Sequence, residues 1–407
     1  MDKGLLSTLQ KIKLTSHLKR ISDDDFVDRI NNFYTPLILT ILTIVICTKS
    51  YIVGEPLQCW VPVHFSGGWE KFSESWCYIK NTYYVPKYKE LPTEKDMREH
   101  SELQYYQWVP FVLGLQAVLF LFPSIFWKFS NWQGRLHIKP LMQRGVKSSF
   151  EVGDSRSTTL KEIAEHIRNS LFKSQYGNHP TLSAGNDKCC GFINSGFYLT
   201  FCYLISKLLY LTNIIIQFII VHRFLKADFF FGFNLLTKLS SGSDWQETGL
   251  FPRVTMCDFT TPRIGQDLPT TMQCVLVINL FNEKIYIFLW FWLAFLFLIT
   301  LINSFIWLIR MLFGRKLSRF VSTKSNYAKN PDHVSNMMSC ESEANTDVYL
   351  VLRMIDSNCG LMTTRKITEY LISFYKSSPR NDKYNSLSPN YHELDKTDNK
   401  SMSSAST

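Results

Sequence analysis

The chain has 407 residues, a formal net charge of +10 and a near-neutral mean hydropathy of −0.05. The positive charge comes with no nucleic-acid recognition motif, so we predict no nucleic-acid partner. The sequence also lacks a glycine-rich phosphate loop, a zinc-ligand spacing and a nucleophile elbow. We therefore predict no enzymatic activity, no catalytic residue, no metal and no cofactor.

The apolar residues are segregated into four blocks, which predicts a mainly α-helical membrane protein with four transmembrane helices. A helix needs roughly 20 apolar residues to cross a hydrocarbon layer of about 30 Å. The predicted helices cover residues 34–53, 110–128, 197–221 and 285–309. They divide the remaining chain into residues 1–33, 54–109, 129–196, 222–284 and 310–407.

Lys and Arg are distributed unevenly among these segments. With their border residues, 1–33, 129–196 and 310–407 hold 30 of them, whereas 54–109 and 222–284 hold 13. Basic residues collect on the cytosolic side of membrane proteins. Both chain termini are therefore predicted to be cytosolic and the other two loops extracellular.

The long cytosolic segments are expected to contain a helical domain. The stretch "VYLVLRMI" at residues 348–355 predicts a short helix with an apolar face. The Ser-, Asn- and Lys-rich end from about residue 377 is expected to be disordered.

Each predicted extracellular loop contains two cysteines. They are Cys59, Cys77, Cys257 and Cys274. An even number of cysteines in an oxidising compartment predicts disulfides and hence a small disulfide-bonded extracellular cap, although the four residues allow three pairings. On the cytosolic side, Cys189 and Cys190 precede the third block, where they are either palmitoylated or plain thiols.

An aromatic cluster, "QYYQWVPF" at residues 104–111, precedes the second block. Tyr and Trp favour the headgroup region, which predicts that Tyr105, Tyr106 and Trp108 lie at the membrane surface. Pro110 fits the first turn of a helix, where its missing N–H costs nothing. The cluster is therefore interpreted as the entrance of the second transmembrane helix.

Within this cluster, "YYQWVPF" resembles the signature heptapeptide of the innexins, the invertebrate gap-junction proteins. Its defining residues here are Tyr105, Tyr106, Gln107, Trp108 and Pro110. Further stretches are similar to innexin segments in the same order: "DDDFVDRINNFYTP" (23–36), "GEPLQCW" (54–60), "KLLYLTNIIIQF" (207–218) and "CVLVINLFNEKIYIFLWFW" (274–292). The resemblance covers residues 23–310 and departs from the family at Val277, where proline is usual.

The resemblance implies a gap-junction channel subunit in the plasma membrane. Innexin subunits, homomeric or heteromeric, are expected to form a ring in the lipid bilayer, with an octamer as the expected size. Each ring would dock with one in the adjacent cell and pass ions and small metabolites. The alternatives are an undocked hemichannel and a non-conducting junctional adhesion or scaffold protein. The family pattern also implies that Cys59 pairs with Cys274 and Cys77 with Cys257.

The resemblance places residues 1–29 in the pore mouth and makes the first helix line the pore. Four acidic residues in this segment, Asp23, Asp24, Asp25 and Asp28, are candidates for rings of charge that filter ions. The alternative is that they belong to a solvated segment that caps the first helix.

Two features lie inside the apolar blocks. Lys207 is expected near the cytosolic end of the third helix, where its ammonium group could reach the membrane surface. Pro123 is expected to kink the second helix, either as a gating hinge or as a fixed bend.

Overall fold

The computed structural model describes residues 24–52, 54–63, 65–86, 90–134, 136–176, 197–240, 250–312 and 345–376. The helices are α1 (Phe26–Ile52), α2 (Gly67–Lys80), α3 (Lys95–His100), α4 (Val109–Gln133), α5 (Ile138–Ser148), α6 (Asp154–Tyr176), α7 (Tyr198–Leu225), α8 (Phe231–Ser240), α9 (Ile278–Leu312), α10 (Asn345–Cys359) and α11 (Leu361–Lys376). The strands are β1 (Gln58–Trp60), β2 (Thr82–Tyr83), β3 (Glu102–Leu103), β4 (Val254–Arg263) and β5 (Gln266–Val275).

Four helices, α1, α4, α7 and α9, are long and apolar enough to cross a membrane. They match the four predicted spans in number and order but extend beyond them. The clearest case is α9, which begins at Ile278 rather than at residue 285. Hydropathy identifies only the apolar part of a helix. The helix α9 continues through the polar residues Asn279 and Glu283, whose side chains are paired with the Pro252 carbonyl and with Arg253.

The helix α1 is not α-helical throughout. It contains two π-helical turns, at Ile30–Tyr34 and Thr48–Ile52. Asp25 is the N-cap of α1, since its side chain accepts a hydrogen bond from the backbone N–H of Phe26 at 2.8 Å. Pro36 lies just after the first π-turn, in the first turn of the following α-helical part.

The described residues form two compact units. The larger unit contains Asp24–Ser130 and Phe201–Ile309, and the smaller contains the described parts of Asn131–Thr200 and Arg310–Thr407. In the smaller unit, α6 packs against α5 and α11, and α10 packs against α5 and α11. Its core is built from buried aliphatic side chains, among them Leu160, Ile163, Ile167, Leu350, Val351 and Ile367.

The larger unit carries a five-stranded antiparallel sheet with the strand order β1-β5-β4-β2-β3. β4 and β5 form a hairpin in which Arg263 pairs with Gln266. Gly265 in the two-residue turn has a φ of +87°, a conformation that glycine adopts without steric cost. Because α2 packs against β4 and β1, helix and sheet form one compact cap.

Candidate functional site: the disulfide-bonded cap and the polar cluster of the membrane helices

Two disulfides join the segments that were predicted to be extracellular. Cys59 of β1 lies opposite Cys274 of β5 in the sheet, and their sulfurs are bonded. Cys77 of α2 is bonded to Cys257 of β4. This is the pairing implied by the family resemblance. Each bridge links the first loop to the second, so both loops are fastened into a single body.

A charged cluster reinforces the sheet on β4. The Asp258 carboxylate accepts hydrogen bonds from Arg98 at 2.9 Å, from the Thr271 hydroxyl at 2.8 Å and from the Tyr83 hydroxyl at 3.1 Å. Burial alone would raise the pKa of Asp258, but these hydrogen bonds outweigh burial and its pKa is lowered. Burial and the neighbouring carboxylate raise the pKa of Tyr83 to about 12, so its hydroxyl stays a donor at neutral pH.

The tyrosines of the aromatic motif pack against residues of the cap just before the start of α4, and the place of Tyr105 and Tyr106 at the membrane surface stays a prediction. The Tyr106 ring is fully buried and its hydroxyl donates to the carbonyl of Tyr78 at 3.1 Å. The partly buried Tyr105 packs edge-on against Tyr106 and Phe251. Their partners come from distant segments that local sequence does not reveal.

The other motif residues behave differently from the tyrosines. The side-chain amide of Gln107 donates to the carbonyls of Tyr78 and Ile79, at 2.6 and 3.1 Å, and so caps the last turn of α2. Trp108 is 60% exposed, and its place at the membrane surface stays a prediction. Pro110 is buried in the first turn of α4.

A buried polar cluster connects three membrane helices through Lys207 of α7. The Lys207 side chain is 2% exposed, and its ammonium nitrogen lies 2.7 and 2.8 Å from the two carboxylate oxygens of Asp28. A second carboxylate, that of Asp25, lies 3.7 Å away. Lys207 lies well inside α7 and its charge is neutralised there. Its position relative to the cytosolic membrane surface stays a prediction, but its ammonium group is paired with carboxylates at the start of α1.

The hydrogen bonds of this cluster extend to α9. The Trp307 indole N–H donates to Asp25 at 3.0 Å, and the Tyr203 hydroxyl donates to Asp28 at 3.3 Å. The Lys207 ammonium nitrogen also lies 4.9 Å from the centre of the Tyr203 ring, within cation–π range. The positive charge is thus surrounded by acceptors and ring faces.

Polar residues along α1 continue the cluster. The Asn31 amide donates to the Thr300 hydroxyl at 2.9 Å. The Asn32 amide donates to the Asp24 carboxylate at 2.6 Å and to the Tyr210 hydroxyl at 3.2 Å. The start of α1 is consequently tied to both α7 and α9 by side-chain hydrogen bonds.

These contacts bear on the candidate pore-mouth charges. Asp28 is buried and paired with Lys207, and Asp24 is buried, while the role of these acidic residues at a pore mouth stays a prediction. Asp25 caps α1 as the alternative interpretation expected. Asp23 lies outside the described residues, as do most of residues 1–29, Cys189, Cys190 and the tail from residue 377. Pro123 lies inside α4, where its role as a hinge or fixed bend stays a prediction.

The pairing of Lys207 with Asp28 was not predicted from the sequence, because hydropathy describes each apolar block separately and says nothing of its neighbours. One signal was present: a charge inside an apolar block is by default expected to have a partner and a function. The available carboxylates were those just before the first block. Choosing among them needed the packing of α1 against α7, which sequence spacing does not give.

Comparison with known proteins agrees with this architecture. The innexin family model matches residues 24–375. Innexin unc-9 of Caenorhabditis elegans is 35% identical over 362 residues, covering 87% of this chain and 92% of that protein. Innexin-3 of the same organism is 33% identical, covering 88% and 85%, and Innexin eat-5 is 32% identical, covering 85% of each.

The family match spans both units and includes all four membrane helices, the four bonded cysteines and the aromatic motif. The chain therefore belongs to the innexin family and is a multi-pass plasma-membrane subunit of gap-junction channels that assembles with other innexin subunits.

Proposed function

We propose that this chain, alone or with other innexin subunits, forms an octameric ring that docks with a ring of the adjacent cell and passes ions and small metabolites. The observation that carries the proposal is the cap. Its two disulfides fasten both loops onto one sheet. A preformed cap suits docking because ordering loops at the moment of contact costs free energy.

The cap also supports the proposed orientation. Disulfides form and persist in oxidising compartments, so residues 54–109 and 222–284 are assigned to the outside. The excess of Lys and Arg in the other segments independently assigns residues 1–33, 129–196 and 310–407 to the cytosol. Two unrelated physical effects thus favour the same topology.

Exposed apolar side chains on the cap support assembly with other subunits. Trp69, Phe72, Trp76 and Ile79 recur along one face of α2 and are all exposed. Contiguous exposed apolar surface of this kind is uncommon on isolated proteins and typically marks contacts. In the ring, this face would lie against a neighbouring subunit or a docked partner.

The test is electrical. The chain is expressed alone in paired cells, and current is recorded between the cells and across the membrane of single cells. The Cys59→Ala/Cys274→Ala chain removes one bridge without leaving a free thiol, and Cys359→Ala is the matched control because Cys359 belongs to the other unit. We expect current between cells for the unmodified and control chains and its loss in the double variant.

Other results would redirect the proposal. Current only in single cells would make the protein an undocked hemichannel. If the protein is present at the surface but no current flows in either recording, the chain does not form a homomeric channel. Such a result would favour an obligate innexin partner or a junctional scaffold. Undiminished coupling in the double variant would contradict the role given to the cap.

A further inference from the structure

The ion pair between Lys207 and Asp28 has features of a positioning contact. It is fully buried, and its carboxylate comes from the first turn of α1. A buried pair seldom adds net stability compared with well-packed apolar residues, so stability alone does not explain it. The best-attested use of such pairs is to select one arrangement of helices among alternatives.

A second observation lies one turn further along α1. The turn Ile30–Tyr34 is π-helical, closed by a hydrogen bond from the backbone N–H of Thr35 to the carbonyl of Ile30. The Thr35 hydroxyl donates to the same carbonyl at 2.9 Å and accepts from the Trp292 indole at 3.1 Å. Single π-turns inside α-helices are frequently found at functional sites.

The π-turn sets the rotation of the residues that precede it. An α-helix turns by about 100° per residue, and a π-turn contains one residue more than an α-helical turn. If the turn became α-helical, Asp25 and Asp28 would rotate by about that angle around the helix axis and leave Lys207. The π-helical and the α-helical form of this turn would therefore place the two carboxylates differently, and the ion pair is made in the π-helical form.

We infer that Lys207 is a positioning residue for channel opening: through Asp28 it holds the first turn of α1 in the rotation that the π-turn creates. The inference rests on the proposed channel function. The segment so held is the start of the helix that the family resemblance implies lines the pore. Releasing it changes how often the channel is open, while the ring and its cap are left intact.

The test compares single and paired substitutions at the two positions. Asp28→Asn keeps the shape of the side chain, and Lys207→Met keeps much of its length. The double variant Asp28→Asn/Lys207→Met closes a double-mutant cycle. The matched control is Glu283→Gln, because Glu283 is also a buried carboxylate of a membrane helix and is paired with Arg253 at 3.2 Å. Open probability, unitary current and surface amount are measured for each chain in single cells and in cell pairs.

We expect each single variant to change the open probability by about five-fold or more at unchanged surface amount, the lower end of typical coupling between sites. The double variant should do no more than either single one, since all three lose the same contact. The unitary current and the Glu283→Gln control should match the unmodified chain.

Several outcomes would overturn the inference. The inference fails if the two substitutions change the open probability additively, or if Glu283→Gln changes it as much as they do. It also fails if both single variants open as often as the unmodified chain. An Asp28→Asn chain that fails to reach the surface would assign the pair to folding instead. These results are distinct from failure of the proposed function, in which the unmodified chain itself carries no current.

Discussion

Gln107 shows how a single side chain of the aromatic motif stabilises the cap. The last carbonyls of an α-helix have no partner within the helix. The Gln107 amide donates to two of them at the end of α2, and to the Asn81 side chain at 3.0 Å. The motif therefore joins the start of α4 to the end of α2, in addition to any contact that its exposed Trp108 makes with lipid.

Replacing Gln107 by Ala should weaken the cap. The substitution removes these hydrogen bonds, and a typical net contribution is about 1 kcal/mol each, so we expect a loss of about 1–2 kcal/mol. The measurement is the thermal unfolding midpoint of the purified protein. Gln104→Ala, at an exposed position three residues earlier, is the control and should leave the midpoint unchanged. Equal midpoints for both variants would contradict the capping role.

Asp347 caps a membrane helix from a distant part of the chain. Its carboxylate accepts from the backbone N–H groups of Leu199 and Thr200, at 3.3 and 2.8 Å, and from the Thr200 hydroxyl at 2.8 Å. These N–H groups belong to the first turn of α7 and lack partners within the helix. The contact fastens α10 to the beginning of α7.

Asp347→Ala should destabilise the smaller unit by about 1–2 kcal/mol, the usual cost of losing a helix cap. Asp347→Asn keeps an acceptor oxygen and should lose less. Limited proteolysis of the purified protein, compared across denaturant concentrations, reports the difference. Asp356→Ala in the same helix serves as the control, since its partner Arg353 is a neighbour on α10. A control as unstable as Asp347→Ala would refute the cap.

Because of Asp258, the stability of the cap should vary with pH in the acid range. Because its folded-state pKa is lowered, its contribution is present above the unfolded pKa of about 3.9 and is lost as pH falls through the folded value. Arg98→Met removes the positive charge and one of the three hydrogen bonds to Asp258, which raises the pKa of Asp258. Because the onset of the loss is set by the unfolded pKa, which both chains share, we expect the variant to be less stable at neutral pH and to lose less stability than the unmodified chain as the pH falls. Identical acid-unfolding curves would contradict this assignment.

At the scale of elements, the packing of α8 on α9 depends on the absence of a side chain at Gly232. A Cβ atom there would clash with Cε3 of the Trp290 ring. The Trp290 ring is held by its N–H, which donates to the Phe229 carbonyl at 3.2 Å. Gly232 therefore permits a close approach between the two helices.

Gly232→Ala should cost about 1–3 kcal/mol, since overpacking forces the ring or the helix to move. The thermal unfolding midpoint again reports the loss. Gly114→Ala in α4 is the matched control, because its Cβ would lie 4.0 Å from the Thr43 methyl group, an ordinary contact. The close-packing argument fails if both glycine variants unfold at the same temperature.

The elements differ in how far the sequence could predict them. Long apolar blocks predicted the four membrane helices, since their length and composition are local properties. The β4–β5 hairpin was not predicted, although its signal was present: inward Thr255, Cys257 and Phe259 alternate with more exposed residues before a turn that contains Gly265.

The polar cluster and the caps could not be predicted in the same way. Lys207 lies 179 positions from Asp28 along the chain, and Asp347 lies 147 positions from Thr200. Which charged residues meet is decided by helix packing, and each apolar block accepts several neighbours equally well. The disulfide pairing had the same ambiguity until the family resemblance resolved it.

At the level of the whole molecule, disulfides preform the cap of the subunit and a buried ion pair holds its first membrane helix. The cap is closed by the Cys59–Cys274 and Cys77–Cys257 bridges, which span 215 and 180 residues. Bridges across segments this long constrain the unfolded chain strongly, typically by about 2–5 kcal/mol each. The cap should therefore keep its shape before and after docking.

Electron microscopy of the purified, unmodified protein would show directly whether the subunits form octameric rings that dock through their caps. We expect rings of eightfold symmetry, a fraction of which are joined face to face through their caps, and single rings after reduction of the disulfides. Particles of another symmetry would contradict the octamer. Rings that join through the opposite face, or that pair equally well after reduction, would contradict docking through the disulfide-bonded cap.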